Sequence, residues 1–426
     1  MRPDSKKFFL ITLGCKVNQY EAELMRETLL VRGYSETSVP EDAALCIANT
    51  CTVTNSADSK SLKAIRHFRQ VNRTAKVVIT GCSTAIGADA LRKLVPDSTI
   101  LPNVDKSDIL SVVDGAGQGE RLKGISKFIG HTRAFLKIQD GCDLYCTYCI
   151  IPVIRGKPLS KPLEDIWVEA SALANSGYKE IILTGIHLGS YGRDLLPAVS
   201  LMDAVRRMLT IKEIRRIRLS SMEVNEISDD DVRFIAENPR VCPHFHFPLQ
   251  SGDDGILKRM NRRYDIAFFL KRLDGIRKAI TLPGFTTDVI VGFPGETEKQ
   301  FQNTMETCAK AGFSKIHVFP YSSRRNTPAS RFPGRCQQAE LKGRLSRLKD
   351  LEKKLAVEYK NNFLNKEACV LVEKGRDKKT GSLCGFTERY VKALFEGGDN
   401  LKNTFANVRI DAVKADYCTG VITSSG

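Results

Sequence analysis

Two groups of cysteines could do chemistry in this sequence. In Asp140-Gly-Cys142-Asp-Leu-Tyr-Cys146-Thr-Tyr-Cys149, three thiols fall within eight residues, directly after the apolar run 134–138. Thiolates separated by three and then two residues, on a loop at a strand end, suit three corners of a cubane cluster. A [4Fe–4S] cluster ordinarily takes four Cys, so one iron would stay open for another ligand. Structural zinc would need four closed ligands, usually in paired knuckles, and no second knuckle lies nearby. The second group is dispersed. Cys15 follows Thr12-Leu-Gly, Cys51 follows Asn49-Thr, and Cys82 follows Thr80-Gly. Each ends a run that reads as a strand. Parallel strands bring their C-terminal ends together at the ligand-binding edge of a sheet, so these three could meet as another three-Cys centre with an open iron. The alternative is three buried strand-end thiols with no joint role. Cys46, inside its strand, reads as core.

The elements that would position them alternate. Strands over 8–13, 45–49 and 76–80, with helices over 21–32 and 57–71, predict a parallel sheet covered by helices. The glycine-rich stretch 114–119 reads as a linker. From about 130 to 330 the rhythm repeats, with strands over 134–138, 180–184, 216–219, 244–248, 286–291 and 315–319. Six β-α units imply a full or partial parallel barrel, with reactive groups at the C-terminal strand ends. From 361 onward, short β runs punctuated by Gly and Asn read as a small all-β barrel. The expected α/β organisation is therefore an N-terminal domain over 1–118, a central barrel over 128–358 and a C-terminal β domain over 361–426.

Composition bounds the rest. The 426 residues are 42% hydrophobic and 27% charged, an ordinary globular composition. That excludes collagenous, coiled-coil and wholly disordered chains. No apolar run approaches the ~18 residues of a membrane span, and the polar start carries no signal-like segment, so a cytoplasmic protein is expected. Thirteen Cys in such a chain argue against a disulfide scaffold. The net charge of +16 favours a polyanionic partner. Residues 321–354 carry ten Lys/Arg against three Asp/Glu. With Arg324 and Arg325, the helix around Arg259–Arg263, Lys63, Arg66, Arg69 and the C-terminal barrel, they are candidate nucleic-acid surfaces. Phe386, Tyr390 and Phe395 are candidate stacking aromatics, with core packing the simpler role for at least two of them.

The Cys-x3-Cys-x2-Cys loop, with Tyr148 before its last Cys, resembles the signature of the radical S-adenosylmethionine (SAM) superfamily. There the open iron binds the amino and carboxylate groups of SAM, and one electron from the cluster cleaves it to methionine and a 5′-deoxyadenosyl radical. Nearly the whole chain resembles the methylthiotransferases. The stretches that carry this are Thr12-Leu-Gly-Cys-Lys-Val-Asn18, Asn49-Thr-Cys-Thr-Val-Thr54, Thr80-Gly-Cys82, Arg155-Gly156, Leu183-Thr-Gly185, Pro248-Leu-Gln-Ser-Gly252, the run 286–296 and His317-Val-Phe-Pro-Tyr-Ser322. The final β region resembles the RNA-binding TRAM domain. The resemblance implies two [4Fe–4S] clusters, on Cys142, Cys146 and Cys149 and on Cys15, Cys51 and Cys82. It also implies SAM at the first cluster, a tRNA substrate and an electron donor such as flavodoxin or ferredoxin. Tyr148 in the loop, and Thr184, Gly185, Glu223 and Gln250 at barrel strand ends, are candidate SAM contacts. Lys16-Val-Asn18, Thr52-Val-Thr54 and the His317 run look most like the subgroup that adds a methylthio group to C2 of N6-threonylcarbamoyladenosine at position 37 of tRNA. Sister subgroups act on N6-isopentenyladenosine in tRNA or on a ribosomal protein. A reading from another class is a zinc-stabilised RNA-binding protein without catalysis. Leu159-Ser-Lys161, Met222-Glu-Val224 and Ser83-Thr-Ala85 depart from the family's usual residues, but no cluster ligand is missing. His244 and His246 face one side of their strand by alternation, with satisfied barrel histidines as the simpler reading.

Overall fold

The structure, a computed structural model, describes residues 6–113 and 122–425. The stretch 114–119, read as a linker, lies outside them. The first strands are β1 (Lys7–Thr12), β2 (Ser35–Glu36), β3 (Leu45–Thr50), β4 (Lys76–Gly81) and β5 (Thr99–Ile100). They pair in parallel in the order β2-β1-β3-β4-β5. β3 is central and buried along its whole length, which is why it reads as a continuous apolar run rather than an alternating one. Helices α1 (Lys16–Val31), α2 (Asn55–Val71), α3 (Thr84–Leu94) and α4 (Ile109–Val113) cover the sheet. Ala22, Met25 and Leu29 of α1 pack against Phe8, Leu10, Ile47 and Val78, while Ile65 and Phe68 of α2 fill the opposite face. The sequence suggests a helix starting at Glu21. It starts at Lys16 instead, because the turn after β1 makes Cys15 its N-cap and buries Val17 and Tyr20.

The central strands are β6 (Ala134–Lys137), β7 (Gln139–Asp140), β8 (Leu159–Ser160), β9 (Glu180–Thr184), β10 (Arg216–Leu219), β11 (His244–His246), β12 (Gly284–Val291) and β13 (Lys315–Pro320). Their helices are α5 (Ile151–Arg155), α6 (Leu163–Asn175), α7 (Leu201–Leu209), α8 (Asp229–Glu237), α9 (Asp254–Arg259), α10 (Ile266–Ala279) and α11 (Glu298–Ala311). β6-β9-β10 and β11-β12-β13 form two parallel sheets. The bridges Ile217–Val241 and Ser221–His246 join them, making a six-stranded arc open between β6 and β13. β7 and β8 form a small antiparallel pair flanking the cysteine loop. The largest hydrophobic core lies between the arc and its helices.

β14 (Glu367–Val372), β15 (Leu383–Thr387), β16 (Lys392–Phe395), β17 (Phe405–Val413) and β18 (Cys418–Ser425) close into a barrel. It plugs the N-terminal end of the arc. Arg216 and Arg218 of β10 donate to the carbonyls of Cys369, Phe386, Thr387 and Glu388, and Arg218 Nε holds Glu180 Oε1 at 2.8 Å. Tyr390 packs against His244 with ring centroids 5.0 Å apart. The helix α12 (Gln338–Asn361) runs without a break through the boundary expected at 358–361. Leu348 and Leu355 belong to the central core, Tyr359 to that of the β-barrel.

Candidate active site

The dispersed cysteines meet at the C-terminal edge of the first sheet. Cys51 and Cys82 are buried and Cys15 is exposed. Gly14 has φ +114°, and a Cβ there would lie 2.8 Å from the Cys51 Cβ, so only glycine lets the Cys15 turn press on Cys51. Asn18 ties the strand ends together. Its Nδ2 donates to Leu13 and Thr50 carbonyls at 2.9 Å, and its Oδ1 accepts from Arg155 Nη2 at 2.7 Å. That arginine comes from α5, in the central domain, and its Nη2 is 4.0 Å from Cys82 Sγ.

The second group sits on the loop between β7 and α5. Cys142 N donates to Gly156 O at 3.0 Å, and Thr147 N to Met260 O at 3.0 Å. Asn261 holds the carbonyls of Leu144 and Tyr145. Arg262 donates to Cys146 Sγ at 3.3 Å and pairs with Glu223. His187, bonded to Glu226 Oε1 at 2.8 Å, lies against Cys142. Cys82 packs on Ile150 and Ile154, so the two cysteine groups are near neighbours.

The donor sets fit multi-iron clusters. Among the described residues, one set of three ligating groups has all its atoms within 4.8 Å of one another, and it is His246, Asp288 and His317. Neither thiol group is that compact, whereas a tetrahedral zinc with Zn–S bonds of ~2.3 Å holds its sulfurs ~3.8 Å apart. Burial pushes Cys149 up to about 12 and Cys51 up to about 11, so the thiolate state there requires a cationic centre to draw the proton off.

Cys15 and the three loop cysteines open on one cavity of about 870 Å³, toward the upper end of the range for small-molecule sites. Cys15 and Lys16 line it together with Cys142, Cys146 and Cys149, and so do Tyr148, Thr184, Gly185, Glu223 and Gln250. Every candidate SAM contact thus lines the cavity on which the cysteine loop opens. Sequence reasoning missed Arg262, taken as part of an RNA-facing helix. Its side chain is 3% exposed and holds Cys146 and Glu223. It also missed His187, which stands only two residues after Gly185.

Of the two proposed RNA contacts, Arg325 is exposed but Arg324 is a correction. It is 5% exposed and paired with Asp58 of α2, so its charge is spent tying two domains together. Arg69 of α2 is likewise used, donating to Ala75 O at 3.1 Å. Phe395 is core of the β-barrel. Phe386 stacks on Tyr390 at 5.1 Å with Arg133 over its face at 4.4 Å, and both rings line the cavity.

The radical SAM superfamily matches residues 136–308, the arc and its cysteine loop. A family described only as uncharacterized protein family UPF0004 matches residues 7–101, the sheet bearing the dispersed cysteines. Over 97% of its length the chain is 39% identical to the threonylcarbamoyladenosine tRNA methylthiotransferase MtaB of Thermotoga maritima, covering 98% of that protein. The chain belongs to the radical SAM methylthiotransferase family. The tRNA-2-methylthio-N(6)-dimethylallyladenosine synthase of Alkaliphilus oremlandii is 33% identical, over 96% of this chain and 91% of its own. Among solved structures, the radical SAM methyltransferase TsrM of Kitasatospora setae, with cobalamin and a [4Fe–4S] cluster bound, superposes with a TM-score of 0.55 at 12% identity. The match covers 76% of this chain and 77% of that one, and it shows the shared fold. The methylthiotransferase is therefore a radical enzyme whose cofactors are SAM and [4Fe–4S] clusters. No helix among its described residues is long and apolar enough to cross a membrane.

Proposed function

We propose that this methylthiotransferase adds a methylthio group to C2 of N6-threonylcarbamoyladenosine at position 37 of tRNA, beside the anticodon. Cys142, Cys146 and Cys149 would hold the SAM-binding cluster, and Cys15, Cys51 and Cys82 an auxiliary one. The observation that carries this is the single cavity on which Cys15 and the three loop cysteines open, because the reaction needs a radical source and a sulfur donor facing one carbon. Bound there, the clusters and SAM supply the one-electron chemistry that exchange of an aromatic C–H for C–S demands. The chain's own residues position and enclose. Thr184, Gly185, Glu223 and Gln250 lie where a SAM molecule beside the loop would meet them. Arg262 holds Glu223 and Cys146 in one geometry. Ile182, Leu219 and Met222 supply apolar wall that keeps water from a reactive centre. The threonylcarbamoyl substrate is supported by what the Thermotoga relative is named for. A cytoplasmic setting and a flavodoxin or ferredoxin donor complete the reading.

Nucleosides of tRNA from a strain lacking the gene test it by mass spectrometry. The methylthiolated threonylcarbamoyl nucleoside should vanish, its unthiolated precursor accumulate, and a plasmid copy restore it. Loss of the isopentenyl derivative instead, or a change confined to a ribosomal protein, overturns the substrate.

Binding to the RNA should be partly electrostatic. Arg325→Ala is expected to weaken tRNA binding and flatten the dependence of log K on log salt by about one unit. Arg324→Ala should leave that slope alone and lower the thermal midpoint. Filter binding over a salt series, with a melting curve for each variant, separates the two. Equal slopes for wild type and Arg325→Ala would remove this segment from the RNA surface.

A further inference from the structure

The wall of the cavity away from the cysteine loop is polar, and most of its charges are already used. Lys315 pairs with Glu352 at 2.8 Å, Arg218 with Glu180 at 2.8 Å and Lys392 with Asp377 at 2.8 Å. Lys360 donates to Ala415 O. His246 spends Nδ1 on Thr286 Oγ1 at 2.9 Å and sets Nε2 3.4 Å from Asp288 Oδ1. Three of the basic groups are left. Lys16 has no hydrogen-bond or ion-pair partner among the described residues, although its charge bears on His244, His317 and Tyr390. His317 has only a ring contact with His246, at 5.8 Å between centroids. His244 is 5% exposed; its Nε2 lies 3.2 Å from Thr286 Oγ1, and its Nδ1 alone has no partner. Lys16 heads α1, which packs on β6, while His317 lies on β13, so they face the cavity from the two edges of the open arc.

An apolar N6 substituent seated here would strip water from these groups and return nothing, so each polar group left unpaired lowers affinity. A substituent carrying a carboxylate, a hydroxyl and an amide would pair them. We propose that Lys16, His244 and His317 form the subsite for an N6 substituent bearing a carboxylate on the target adenine, with Lys16 meeting the negative charge. This rests on the proposed function above and adds how the substrate is told from its isopentenyl counterpart. The compact His246, Asp288 and His317 set would also suit a divalent cation, but the neighbouring unpaired charge of Lys16 disfavours one.

The test uses reconstituted holoenzyme and anticodon stem-loops that carry the threonylcarbamoyl group, its methyl ester or an isopentenyl group at position 37. Wild type should bind the acid at least about tenfold tighter than the ester, the worth of one charge-assisted hydrogen bond. Lys16→Met and His317→Ala should each bring that ratio toward one. Iron content reports whether each variant has assembled. If Lys16→Met fails to assemble, because it adjoins Cys15, His317→Ala on another domain decides. Equal wild-type affinity for acid and ester overturns the subsite while leaving the substrate standing. So does a ratio that survives His317→Ala. A stoichiometric divalent ion in wild type that is lost in His317→Ala replaces the subsite with a metal site. Thiolation of the isopentenyl stem-loop but not the threonylcarbamoyl one overturns both readings.

Discussion

Replacing Cys15, Cys51 and Cys82 together with Ala should halve the iron and sulfide, from about eight of each per chain to about four, after anaerobic reconstitution. SAM should still be cleaved reductively, while methylthiolation falls below detection. The asymmetry follows from how each site is built. The loop bearing Cys142, Cys146 and Cys149 is pinned by Gly156, Met260, Asn261 and Arg262, all within the central domain, so it keeps its shape when the other thiols go. The dispersed cysteines contribute no hydrogen bond to that loop among the described residues, and Cys82 packs on Ile150 and Ile154 beside it. The reverse triple replacement, at Cys142, Cys146 and Cys149, should abolish both SAM cleavage and thiolation. Iron that stays near eight after the first replacement, or thiolation that survives it, would mean that the dispersed thiols are not ligands. One zinc per chain with no sulfide would remove the enzyme reading altogether.

Much of this site was legible because its chemistry is local. Three thiols in eight residues need no fold to be noticed, and a Cys directly after an apolar β run sits at a strand end whatever surrounds it. The parallel arc was legible for the same reason, since each strand declares itself in three to eight residues. What stayed hidden depends on pairing across long separations. Arg155 and Glu21 are 134 residues apart in sequence, and nothing near either one names the other. Arg216-Ile-Arg218-Leu looks like a strand with one solvated face. Both arginines are buried because the carbonyls of a barrel some 170 residues later reach them. Arg324 reads as part of a basic surface until Asp58 is placed opposite. Lys16 is the converse case. In the sequence it is one residue of the Lys16-Val-Asn18 stretch ahead of the expected helix, and only the cavity shows its charge to be unspent. Within the charge run over 321–354, Arg324 and Arg344 are buried while Arg325 and its other Lys/Arg are exposed, because net charge counts residues whereas burial decides which of them face solvent.

Glu21→Gln should be the most damaging single change outside the cysteines. Glu21 is 6% exposed and sits where the first domain meets the arc. It accepts from Lys137 Nζ at 3.0 Å and Arg155 Nη1 at 2.8 Å, and pairs with Lys106. Asp140 shares Lys137 and Arg155. Burial opposes the charge on Glu21, but Lys106, Lys137 and Arg155 outweigh it and hold the carboxyl well below the usual range. Glutamine is nearly isosteric and removes only the charge, leaving Lys106 without a carboxylate and Lys137 and Arg155 to share Asp140. Breaking a buried ionic set in this way costs about 3–5 kcal/mol, read as a lower urea midpoint by circular dichroism. The pH dependence gives the mechanism its own signature. A carboxyl whose folded pKa is depressed contributes its full stability above the ordinary value of 4.5 and loses it as the pH falls through the lowered one. The gap between wild type and Glu21→Gln should therefore be constant from neutrality down to the ordinary value and close below it. A gap that persists into strong acid would assign the loss to packing instead. Thiolation should fall in the same variant, because Arg155 also holds Asn18 and lies against Cys82, so loosening its partner loosens the floor of the auxiliary site.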